Sequence, residues 1–161
     1  MDNFDLNKQY LKLKKLIDDT ALSTHDDLEL QGHWGKYLCV LTSGFLENAI
    51  SSVYADFVSK AASPQVIQYT LRHLENIQNP KSRKFIEVAR QFKKEWGDDL
   101  EQYFSDHPEY KQAIDSIMTN RHLVAHGKVT SISVSRVSDY LEKSVTVIEF
   151  IENQCANRKT A

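Results

Sequence analysis

The sequence predicts an all-α fold, a single-domain up-and-down bundle of five to six helices, and three observations carry that expectation. Only five glycines and three prolines interrupt its 161 residues. No segment alternates apolar and polar side chains over the roughly four to eight residues of a half-buried strand. Apolar residues recur instead at spacings of three and four, which line one side of a helix.

The first helix is expected from Asn3 to Ala21, with Phe4, Tyr10, Leu13, Leu16 and Ile17 opposite Lys8, Lys12 and Lys15. Asp26 or Asp27 then offers an N-cap for a long second helix reaching about Lys60, whose Leu30, Trp34, Leu38, Leu41, Phe45, Ala49, Val53 and Phe57 mark it as the central element. Ser63-Pro64 fits a cap followed by proline at the first helical position, opening a third helix that runs to Asn79-Pro80. A fourth begins near Lys81, carries Phe85, Ile86, Ala89, Phe92 and Trp96, and stops at Gly97-Asp98-Asp99, with one further turn at Leu100, Tyr103 and Phe104. Pro108 opens the fifth, through Tyr110, Ile114, Ile117 and Met118 to Gly127, a residue suited to the left-handed conformation that closes a helix. The stretch from Lys128 to Ser133 is short and polar, and Val129 to Ile132 could be extended. Ser135 then caps a sixth helix with Val137, Tyr140, Leu141, Val145, Ile148 and Ile151. One domain over residues 1–155 and a disordered tail over 156–161 complete the reading.

Bulk properties narrow the function. A composition of 41% hydrophobic and 26% charged residues describes an ordinary globule, and a net charge of -2 argues against a protein that coats nucleic acid through overall basicity, though not against a local basic face. Cys39 and Cys155 lie too far apart for a Cys-x-x-Cys site and read as reduced thiols, Cys39 in the core. There is no signal-peptide pattern at Met1-Asp2-Asn3-Phe4-Asp5 and no apolar run of the roughly 18 residues that span a bilayer, so a cytoplasmic location without membrane association is expected.

Chemistry concentrates in Arg121-His122-Leu123-Val124-Ala125-His126-Gly127. Arginine is permanently charged and forks onto phosphate, whereas the charge of histidine changes near neutral pH, so the two together suit phosphodiester cleavage. Five positions separate Arg121 from His126, about 140° on an unbroken helix, so a shared target requires an irregular turn near Gly127. The competing reading is a surface cation and a histidine that complements the helix dipole. His122 and His126, four apart, share a helix face as zinc ligands do in His-Glu-x-x-His sites, but Leu123 replaces the glutamate and no third ligand is signalled, so no metal and no other cofactor is expected. His25, His33, His73 and His107 are dispersed.

Two further features bear on function. Glu47 lies in the apolar stretch Leu41-Thr42-Ser43-Gly44-Phe45-Leu46-Glu47-Asn48-Ala49-Ile50, where it either pairs with a buried Arg or His or sits solvated on the outer face. Lys81, Arg83, Lys84, Arg90, Lys93 and Lys94 form the densest basic stretch, readable as a solvated helix face or as a strip that tracks an RNA backbone. Tyr69, Tyr103 and Tyr110 fit core positions as well as base stacking.

The string from Arg121 to Gly127 resembles the signature of the HEPN superfamily, an Arg followed by a polar residue and then His, often as Arg-Asn-x-x-Ala-His-Gly, with His122 here where Asn is common. Trp34, Tyr37 and the acid after Phe45-Leu46 look like the second-helix pattern of the RiboL-PSP-type branch. The resemblance implies a helical bundle with the motif on its next-to-last major helix. It also implies a metal-independent endoribonuclease, often a toxin with a cognate antitoxin or a phage-defence effector, acting as a homodimer with Arg121 and His126 in the catalytic places and His122 in the polar second position. The alternative from another class is a non-catalytic helical interaction module, a toxin partner or scaffold, because a shared fold does not establish an enzyme.

Overall fold

The computed structural model describes residues 1–156, and these fold into seven helices with no strand among them. The first, α1 (Phe4–Ser23), is capped by the Asn3 side chain, which accepts the Leu6 amide at 2.9 Å. Its core stripe is Leu6, Leu13, Ile17 and Thr20. Phe4, expected on that stripe, is 78% exposed because Leu6 occupies the inward position at the start of the helix.

The central element is α2 (Leu28–Ser59), capped by Asp27, whose carboxylate accepts the Leu30 amide. It packs most extensively on α1, α3 (Pro64–Leu74), α6 (Pro108–Ala125) and α7 (Val134–Ala156). Leu38, Cys39, Phe45, Leu46, Ala49, Ile50, Val53 and Tyr54 are buried, while Leu30 and Tyr37 remain on the open side. Gly35 is required where the loop before α7 crosses this helix, since a Cβ there would overlap the Ile132 carbonyl oxygen.

The third helix ends at Leu74, earlier than expected, and the chain turns through Asn79, which takes φ 47°. One expected helix is two, which raises the total to seven. The chain breaks at Lys93, with φ -154° and ψ 129°, separating α4 (Ser82–Phe92) from α5 (Lys94–Asp106). Gly97 therefore does not stop a helix. It lies inside α5 and faces Arg90 so closely that a Cβ would collide with that side chain, which lets α5 fold back on α4. Arg90 then reaches Asp98 and Glu101, both at 2.8 Å. Across the break, Phe92 stacks on Tyr54 with ring centroids 4.5 Å apart and Trp96 meets Phe57 at 5.0 Å.

Pro108 opens α6 as expected. Residues 128–133, which the sequence leaves undecided, form a connection without helix or strand, with Val129 94% exposed and Ile132 buried. The cap of α7 is Ser133 and not Ser135: the Ser133 hydroxyl accepts the Arg136 amide at 3.2 Å and its carbonyl accepts that of Val137 at 3.0 Å. α7 is described as far as Ala156, and of the expected tail, 156–161, residues 157–161 lie outside the described residues. Among the described residues no helix is long and apolar enough to cross a membrane.

Candidate active site

The site is built on the last two turns of α6. Ala113, Ile114, Ile117 and Met118 form its buried face. Arg121 follows Ile114 and Ile117 at helical spacing and is therefore drawn half under the surface, whereas His122 and His126 are exposed. Cys39 supports the turn from below: its thiol donates to the Ile117 carbonyl at 3.4 Å, and burial pushes it from the ordinary 9.0 up to about 12, only partly opposed by the Arg121 backbone amide. This cysteine is a neutral packing group and no nucleophile at ordinary pH.

Gly127 ends the helix as the sequence requires. It takes φ 63°, its amide donates to the Val124 carbonyl at 3.1 Å, and the Lys128 amide donates to that of Leu123 at 2.9 Å. That pair of bonds is a Schellman motif and leaves His126 as the C-cap, φ -97° and ψ 14°, with its amide bonded to the His122 carbonyl. The helix stays regular through Ala125, so the irregular turn that would swing His126 toward Arg121 within one chain is not formed. His126 lies instead against His122, ring centroids 4.3 Å apart and planes inclined by 56°.

The Arg121 guanidinium makes no hydrogen bond or ion pair among the described residues, nor does either motif imidazole beyond this ring contact. This permanent cation is therefore left available to an anion from outside the chain.

Two residues not singled out from sequence hold the site in place. The Asn120 side chain accepts the Thr130 hydroxyl while donating to the Ser116 carbonyl at 2.8 Å, pinning the post-motif loop to its own helix. Asp115 accepts the Ser82 amide at 2.8 Å and the Ser82 hydroxyl at 2.9 Å, docking the N-terminus of α4 on α6. Their signal in the sequence is their position: polar side chains interleaved with the apolar stripe of α6.

The other candidates are placed apart from the motif. Among the described residues Glu47 meets no Arg or His; it is half-buried, and its carboxylate accepts the Asn79 amide and secures the turn before α4. Within the basic stretch, Lys84 pairs with Glu87 at 3.1 Å and Arg90 is held by Asp98 and Glu101, while Lys81, Arg83, Lys93 and Lys94 are exposed. Arg83 and Lys111 line one shallow depression, Lys111 and Asn120 line a second, and the two meet at Lys111. Among the described residues no group of three or more His, Cys, Asp or Glu side chains is gathered in a position to hold a metal ion.

The RiboL-PSP-HEPN family matches residues 2–157, nearly the whole chain. The chain belongs to the RiboL-PSP-HEPN family. This agrees with the resemblance carried by the Arg121 to Gly127 string, and with the all-helical bundle in which that string lies on the next-to-last helix. A HEPN domain suggests an RNA-related, nuclease-like function. No curated protein and no solved structure matches the chain.

Proposed function

We propose that this HEPN protein is an endoribonuclease that needs no metal for catalysis and acts as a two-fold dimer, with Arg121 and His126 as its catalytic residues. The observation that carries the reading is the half-buried Arg121, whose guanidinium has no partner among the described residues and which adjoins an exposed imidazole pair. Among the described residues its cation is not spent on an internal carboxylate, whereas that of Arg90 is held by Asp98 and Glu101.

In the proposed reaction the ribose 2′-OH attacks the adjacent phosphorus and the bond to the leaving 5′-oxygen breaks. His126 moves the proton as general base or acid, and Arg121 stabilises charge growing on the non-bridging oxygens. The products are a 2′,3′-cyclic phosphate and a 5′-hydroxyl. DNA, lacking the 2′-OH, is inert. One His126 cannot be acid and base at once, and the regular helix keeps it turned from its own Arg121; a second copy in isologous contact supplies both groups. His122 takes the polar second position of the motif. The depressions that meet at Lys111 offer an RNA strand a path from Arg83 toward Asn120, beside the motif. A toxin or phage-defence effector, restrained by a cognate antitoxin, is the cellular role this chemistry suits.

The second reading, a non-catalytic interaction module, draws on the open side of α2, where Leu30, Tyr37 and Val40 are 39%, 52% and 37% exposed. Incubating the purified protein with mixed cellular RNA in the presence of EDTA separates the two. Cleavage that His126→Ala removes supports the nuclease; intact RNA with every preparation supports the module.

A further inference from the structure

His122 and His126 stand one turn apart on the exposed side of α6 with their ring centroids already 4.3 Å from each other. Side chains four apart on a helix have Cβ atoms about 5–6 Å apart, close enough for both imidazoles to reach one ion. With zinc–nitrogen bonds of about 2.0–2.1 Å, two rings on one tetrahedral ion have centroids about 5 Å apart, a separation that small side-chain rotations reach from the observed one. The pair also sits at the C-terminal end of the helix, where the backbone dipole favours a cation. Arg121 and Lys128 are the nearby positive charges in the sequence; Arg121 is directed about 100° around the helix from His122. With Asn in the second position of the motif this chelate would not exist.

We propose that His122 and His126 form a two-imidazole binding site for a divalent first-row transition ion such as Zn²⁺, water completing its shell, and that an ion held there switches the site off. Ligation occupies a nitrogen lone pair of His126, which then cannot carry a proton between the 2′-OH and the leaving oxygen. The ion is an inhibitor and not a cofactor. The switch rests on the nuclease reading, whereas the binding site stands without it.

Calorimetric titration of Zn²⁺ into the full chain tests the site directly. One ion per chain is expected, bound about tenfold or more weakly by His122→Asn and by His126→Asn, since loss of outer-shell support alone costs a metal site 10–100-fold. His33→Asn, which removes an exposed histidine 4.0 Å from Glu29 at the same helical spacing, should bind zinc as the parent does. Absence of saturable binding, equal binding by the His122 and His126 variants, or loss of binding in the His33 variant overturns the site. On RNA, saturating zinc should stop cleavage by the parent and EDTA should restore it. Cleavage unchanged at saturating zinc overturns the switch. Zinc binding with no cleavage under any condition overturns the switch and the nuclease reading together while leaving the binding site supported.

Discussion

The Cys39 thiol on α2 donates to the Ile117 carbonyl on α6, the same carbonyl that accepts the Arg121 amide in a regular helix, so the central helix and the motif arginine are joined through one oxygen. The geometry at Arg121 therefore depends on a core contact from an element 78 residues away in sequence.

Burial makes Cys39 unreactive, with its thiol pushed from 9.0 up to about 12. A thiol reagent should label the half-exposed Cys155 first and reach Cys39 only as the chain unfolds. Because the folded state holds the Cys39 proton more tightly than the unfolded chain does, stability is full below about 9.0 and falls as pH rises toward about 12. The slope from this group is at most about 1.4 kcal/mol per pH unit. Buried Tyr54, also shifted upward by desolvation, acts in the same direction. Denaturant melts between pH 8 and pH 10 (about the range in which an ordinary thiol titrates) check the sign; a rise in stability across it would contradict the burial of both groups.

Two glycines of α2 should answer oppositely to alanine. At Gly35 a Cβ would overlap the Ile132 carbonyl, a backbone atom that cannot swing aside, so Gly35→Ala should destabilise by about 1–3 kcal/mol. At Gly44 a Cβ meets nothing within 4 Å, so Gly44→Ala should stabilise by about 0.5–1 kcal/mol. Chemical denaturation of both variants measures the difference.

Much of this was legible in the sequence, and the exceptions share a cause. Proline at Pro64 and Pro108, the Asp27 cap and the left-handed Gly127 act within a few residues of chain, so local chemistry decides them. The break at Lys93 is different: the cost of interrupting the helix there is offset by Arg90 meeting Asp98 and Glu101 and by Phe92 and Trp96 both finding α2, contacts that exist only after packing. Gly97 looked like a stop because a glycine that admits a crossing helix and one that ends a helix are the same letter. In the site, the residue types of the motif were readable, but the placement of Glu47 on Asn79 and of Asn120 on Thr130 was not, since both involve loops whose path the tertiary fold sets.

The Asn120 to Thr130 bond gives the loop its only described side-chain tether to α6 through Asn120, and Thr130→Val removes the donor while keeping the shape. The loop around exposed Val129 should then be cut faster by a protease under native conditions, with little change in global stability. Equal cutting of variant and parent would mean that packing of Ile132 against α2 suffices to hold the segment.

Gly127 should tolerate asparagine better than alanine, because φ 63° falls in the left-handed region that asparagine enters most readily among residues with a Cβ. Gly127→Ala should cost about 1–2 kcal/mol and, by loosening the C-cap at His126, lower cleavage more than it lowers stability. A melt and a cleavage rate on the same preparation distinguish the two effects.

The decisive variants are those of the motif itself. Arg121→Ala removes a cation that makes no internal bond among the described residues, and His126→Ala removes an exposed ring at a helix end, so both proteins should fold with stability close to that of the parent. Their cleavage should not survive: loss of a general acid or base costs about 10²- to 10⁴-fold, and loss of an electrostatic stabiliser about 10²- to 10³-fold. With His126 about 140° around a regular helix from Arg121, the proposed composite site predicts that the parent's rate per chain falls on dilution below the dimer dissociation constant. Rates that stay proportional to concentration while sedimentation reports a monomer would remove the composite site. Variants that cut RNA as fast as the parent would remove the nuclease.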